Sequence, residues 1–128
     1  MKYFNQLTDV AGNGYKSAVK AVPAWLFLIG KAYNRQLIRY TELSNVLGYT
    51  DNRPLTPILG HIMYFCQDNG LPPLTILVVN ESGQPGEGFT QVSRQELDQK
   101  REDTFQYNWH NLVPPTSEEF STAWANHH

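Results

Sequence analysis

Apolar residues crowd one stretch of this chain and then recur at helical or strand spacing, and that pattern divides it into elements. The densest stretch is Ala21–Gly30, AVPAWLFLIG, bounded by Lys20 and Lys31. A bilayer span needs about 20 apolar residues, so a run this short predicts a buried helix rather than a membrane segment. Tyr15–Val22 and Pro23–Arg35 read as helical, either as two pieces or as one helix kinked at Pro23. A proline costs little in a first helical turn, where its missing N–H has no partner anyway, and this predicts Pro23 near a helix start. Trp25, Leu26, Leu28, Ile29 and Tyr33 then wrap most of the helix in apolar groups, so it should pack on more than one side.

A short extended bridge is predicted at Gln36–Tyr40, after which Thr41 should cap a helix over Glu42–Leu47 that Gly48 ends. A polar connection, Tyr49–Pro54, leads to a longer helix at about Thr56–Asp68, whose Ile58, Leu59, Ile62, Met63 and Phe65 keep helical spacing. Asn69-Gly70 stops it. Leu74–Val79, LTILVV, is continuous, apolar and β-branched, and reads as the best strand. The Gly/Pro-rich Asn80–Gly88 turns the chain, and Phe89–Val92 would return as the second strand of a hairpin. Ser93 with Glu96, and Thr116 with Glu119, are S/T-x-x-E capping boxes that open two further helices, the second carrying Phe120 and Trp124. Trp109, Leu112 and Val113 should dock on the body, and Pro114-Pro115 separates the two helices. The pattern predicts an α+β fold in a single domain, 1–128, with a core at 38–92 and a helical C-terminal extension at 93–128.

Composition narrows the function classes. At 128 residues the chain is long enough to bury a core without staples, and its one cysteine, Cys66, excludes an internal disulfide framework and a multi-cysteine zinc site. A soluble, cytoplasmic protein is expected. The formal net charge of −2 argues against a generally basic polyanion binder, but it conceals an asymmetry. Residues 1–60 sum to +4 and residues 61–128 to −6. Such a split predicts either a basic face opposite an acidic one or charges interspersed over a solvated surface.

The order from Ile38 to Phe89 is that of a winged helix: extended piece, short helix, turn, longer helix, strand and Gly-rich hairpin loop. In such a unit the second helix enters the major groove while the first helix and the wing contact phosphates. RYTELSNVLGY, PLTPILGHI and LPPLTILVVNESG, over roughly 45–50 residues, resemble the DNA-binding domain of the O6-alkylguanine alkyltransferases and alkyltransferase-like proteins. The resemblance implies that Tyr40 lies against a DNA phosphate, that Leu59-Gly60 falls in the recognition helix and that Val78-Val79-Asn80 closes the strand. The family's reactive cysteine corresponds to Thr75 here and its neighbouring histidine to Ile76. A Thr hydroxyl without an adjacent base is a poor nucleophile, so alkyl transfer is not expected. The arginine that the family inserts into the base stack falls near Pro57, which cannot serve for base flipping.

The residues themselves nominate Arg39, Tyr40, Thr41, Asn52, Arg53, Thr56 and His61 for DNA contact. Tyr40 and Thr41 would meet phosphate, Asn52 and Arg53 a phosphate or base edge, and Thr56 and His61 the groove. No Lys or Arg lies between Pro54 and Asp68, so the second helix alone would hold DNA weakly. No catalytic residue, metal or cofactor is expected: the histidines fit no zinc spacing, and Cys66 reads as a buried small hydrophobe. The Gly83–Gly88 loop lacks the Lys-Ser/Thr of a P-loop, and the carboxylates of the 93–105 helix read as water-facing. The expected function is non-enzymatic binding of duplex DNA, regulatory or defence-related. The alternative is a protein-interaction adaptor on the same scaffold, and a third reading is an enzyme using Glu87 and His110 beside that loop.

Overall fold

The computed structural model describes residues 15–86 and 93–128, arranged as five α-helices and a two-stranded parallel sheet. Helix α1 (Tyr15–Tyr33) runs unbroken through Pro23, which sits in its middle rather than near a start. Strand β1 (Ile38–Arg39) leads directly into α2 (Tyr40–Val46), and α3 (Leu55–Asp68) follows. A 3-10 turn (Leu74–Leu77) and β2 (Val78–Val79) come next, then α4 (Arg94–Gln106), a second 3-10 turn (Trp109–Asn111) and α5 (Ser117–Asn126). The sequence-derived return strand, Phe89–Val92, lies outside the described residues. An α+β class is correct, with helix far outweighing sheet. No helix among the described residues is long and apolar enough to cross a membrane.

Local chemistry sets several boundaries. Ser93 accepts a hydrogen bond from the Glu96 N–H (3.1 Å), and Thr116 and Glu119 form a reciprocal capping box, as their spacing predicts. Gly48 and Gly70 end α2 and α3 with φ of 86° and 64°, a left-handed turn that glycine adopts without steric cost. Thr41 is not a cap. The pairing of Ile38 with Val78 and Arg39 with Val79 carries the chain straight into the helix, so Arg39 takes the cap position with no side-chain hydrogen bond. The apolar run Leu74–Val79 is only one-third strand: Leu74–Leu77 coil into the 3-10 turn, packed against α1, α3 and α4. A fully apolar run has no periodicity to separate a buried strand from a buried turn of helix.

The core gathers on α1. Ala18, Ala21, Ala24, Leu28 and Ala32 are fully buried, small enough along one side to admit α3, α5 and the first 3-10 turn closely. Trp25 fills the centre. Its ring meets Phe65 of α3 edge-on at 5.6 Å, Trp109 at 5.4 Å and Phe120 of α5 at 5.9 Å. Trp109 is fixed by its own N–H, donated to the Thr104 carbonyl at 2.8 Å, whereas the buried Trp25 Nε1 has no acceptor among the described residues. Trp25→Ala should therefore cost about 3–5 kcal/mol, as large aromatic truncations in cores do. Trp25→Phe should cost distinctly less than lost area suggests, because it also removes a buried, unsatisfied donor whose burial costs about 1–3 kcal/mol. Urea unfolding of the three proteins decides it; equal losses for both variants would mean that the indole N–H is satisfied.

Candidate nucleic-acid interface

The two helices that would face DNA are joined by a turn tied to the first of them. Ser44, buried on α2, donates its hydroxyl to the Asn52 side-chain oxygen at 2.9 Å, with the Asp51 carbonyl 3.0 Å away. Asp51 in turn holds Arg53 through the backbone N–H (2.9 Å), Nε (3.2 Å) and Nη2 (3.1 Å). These contacts pull the Asp51 carboxyl below and push the Arg53 guanidinium above their ordinary ranges, the side-chain hydrogen bonds contributing most. From behind, the buried Lys20 of α1 donates to the Leu47 carbonyl at 2.5 Å and lies over the Tyr49 ring at 4.9 Å, securing the end of α2. Burial holds the Lys20 ammonium below its usual range.

Six of the seven nominated residues fall into two sets at helix starts. Arg39, Tyr40 and Thr41 open α2, while Asn52, Arg53 and Thr56 surround the start of α3. Thr41, Asn52, Arg53 and Thr56 are exposed; Tyr40 is half-buried, its hydroxyl crowded against Gly86 so closely that no Cβ fits there. His61 does not belong with them. It is fully buried, donates Nδ1–H to the Pro57 carbonyl at 2.6 Å and stacks on Trp124 of α5 at 4.5 Å. As placed, it cannot reach a groove. Position 61 faces away because α5 closes over α3 there, a tertiary contact that helical spacing alone does not reveal.

Charge pairing also departs from the sequence pattern. Lys31 pairs with Glu42 (3.7 Å), Arg35 with Glu102 (2.5 Å), Arg39 with Glu81 (3.6 Å) and Arg53 with Asp51 (3.1 Å). Two of these pairs join the basic half of the chain to the acidic half, so the asymmetry in sequence is partly cancelled in space. Arg94, Lys100 and Arg101, the three bases of the second half, have no carboxylate within 4.0 Å among the described residues. Sequence reasoning missed Arg101, which lies on α4 but donates Nη2–H to the Gly83 carbonyl at 3.1 Å, across 18 residues. The turn it grips is locked by Asn80, whose side-chain oxygen accepts from the N–H groups of Ser82 and Gln84, both at 3.0 Å. Beside that turn a shallow groove of about 460 Å³ is lined in part by Arg39, Glu42, Glu81, Ser82 and Gly83.

Cys66 is buried, and desolvation pushes its thiol up to about 12, so it is protonated at neutral pH and a poor nucleophile. His110 meets Tyr33 edge-on at 5.5 Å, and Glu87 lies outside the described residues. No group of three or more His, Cys, Asp or Glu among the described residues could hold a metal ion. No known family, curated protein or solved structure matches the chain.

The end of α5 is fastened to the end of α3. His127 Nε2 lies 2.7 Å from an Asp68 oxygen, Asn126 donates to the other at 3.3 Å, and Tyr64 stacks on His127 at 4.2 Å. The His127 and Asn126 hydrogen bonds lower the Asp68 carboxyl from its ordinary 3.8. A carboxylate with a depressed folded pKa contributes stability that is present above its unfolded pKa and lost as pH falls through the folded one. Melting temperature should therefore fall less steeply below about pH 4 in Asp68→Asn than in the parent protein. Parallel acid limbs in a pH series of thermal melts would show that the pair adds no pH-dependent stability.

Proposed function

We propose that this chain is a non-enzymatic duplex-DNA-binding protein in which α2, α3 and the Asn80–Gln84 turn act as a winged-helix-like unit. The observation that carries the reading is the tied helix pair. Ser44 fixes the connecting turn, and the starts of both helices present Arg39, Thr41, Asn52, Arg53 and Thr56 to solvent. The resemblance of the 39–83 stretch to the alkyltransferase DNA-binding domain supports the same use of these positions. Since Arg39 and Arg53 each face a carboxylate, DNA must displace Glu81 and Asp51 before it gains those cations. Affinity should accordingly be that of a non-specific binder, with Kd of roughly 1–100 µM at physiological salt.

A second reading, a protein-interaction adaptor, has one observation in its favour. The outward side of α1 exposes Leu26 (48%) and Tyr33 (75%), with Val19, Pro23, Phe27 and Gly30 half-buried among them, and Lys31 borders this stripe with its ammonium over the Phe27 ring at 5.4 Å. Fluorescence anisotropy with a labelled random duplex at about 50 and 200 mM salt separates the two readings. The DNA reading expects binding that weakens steeply with salt, and an Arg39→Ala/Arg53→Ala variant whose log–log salt slope is shallower by roughly two units. Absence of binding at the lower salt would remove the DNA reading and leave the α1 surface as the one to pursue.

A further inference from the structure

The tight turn over Asn80–Gln84 carries a cation on each flank, and the two are held differently. Arg39 reaches it from β1 through Glu81, at a loose 3.6 Å and with both side chains mostly exposed. Arg101 reaches it from α4 through the Gly83 carbonyl. Arg101 is half-buried, no carboxylate within 4.0 Å neutralises it, and its Nε is buried without a hydrogen-bond partner among the described residues. A guanidinium that no described carboxylate engages has N–H donors to spare. The fork of N–H groups suits the paired oxygens of a phosphate.

The turn itself has little to offer an anion. The N–H groups of Ser82 and Gln84 point at the Asn80 side chain, and that of Gly83 donates to the Asn80 carbonyl at 3.0 Å. Ser82 spends its hydroxyl on the same Asn80 oxygen at 2.7 Å. Anion affinity here must come from the flanking arginines, and the turn serves as a rigid spacer between them. We infer that Arg101, with Arg39 across the turn, binds a backbone phosphodiester of the DNA, Glu81 being the carboxylate that the phosphate displaces. This inference rests on the DNA reading and adds to it a contact on α4, outside the helix pair.

The test uses the full chain and the same labelled duplex. Arg101→Gln should weaken binding about 5–10-fold at low salt, equally for unrelated sequences, and make the salt slope shallower by roughly one unit. Glu81→Gln, which removes only the competing acid, should tighten binding about 2–3-fold at low salt, with the gain shrinking as salt screens the charges. If the wild-type protein binds with a normal salt slope while Arg101→Gln keeps both affinity and slope, the Arg101 assignment is overturned and the DNA reading stands. If the wild-type protein does not bind, the DNA reading itself falls. Should Arg101→Gln unfold, as circular dichroism would reveal, Glu81→Gln decides: unchanged affinity overturns the site, and tighter binding supports it.

Discussion

Trp25 is the contact on which the arrangement depends. One indole touches α3 through Phe65, the second 3-10 turn through Trp109 and α5 through Phe120. Aromatic edge contacts of this kind add about 0.5–1.5 kcal/mol each beyond the area they bury, and they fix ring orientation as well. Because all three partners lie on different elements, the position of α3 relative to α1 cannot change without disturbing α5. The C-terminal helix is thus built into the core. It also determines which side of α3 remains available to anything else.

The consequence is clearest at Gly60 and His61. Trp124 lies so near Gly60 that a Cβ added there would come within 2.7 Å of the ring, and His61 stacks beneath the same indole. Glycine in a helix interior ordinarily costs about 1 kcal/mol relative to alanine. Here it is the residue that lets two helices approach. A sequence reader sees Gly60 and His61 as positions on a helix face; the structure makes them the floor on which α5 rests.

What could be read from the chain beforehand follows from the range of the forces involved. The caps at Ser93 and Thr116, the stops at Gly48 and Gly70, and the helical spacing of Ile58, Leu59 and Ile62 are settled within a few residues, and all were legible. The parallel pairing of Ile38 with Val78 was not, since forty residues of chain separate the partners and neither strand exceeds two residues. Of the two readings open at Pro23, two pieces or one helix, the structure takes the single helix, because α1 is held by tertiary packing on several sides, which sustains it through a residue that a free helix would not tolerate. Of the candidate site, the order of the two helices and the turn between them were legible, but their caps were not, since Thr41 caps nothing and α3 follows Pro54 without a side-chain hydrogen bond. The neutralising partners Glu81 and Glu102 and the cation Arg101 were not, because each acts across a large separation in sequence.

These placements bear on the DNA contact proposed above. With one side of α3 against α1 and Gly60 and His61 under α5, the positions that α3 leaves exposed, besides Asp68, are Thr56 and Gln67. Both can hydrogen-bond a base edge, but Gln67 lies at the far end of the helix from the nominated cluster. Bidentate base contacts, each worth about 1–3 kcal/mol of discrimination, are therefore scarce. Contacts from Arg39, Arg53 and Arg101 would go to phosphate, which positions a protein without reading sequence. Under the proposed DNA reading, a chain that commits most of α3 to its own core would sense the backbone and its shape, and any preference for one DNA over another would have to come through deformability rather than base identity.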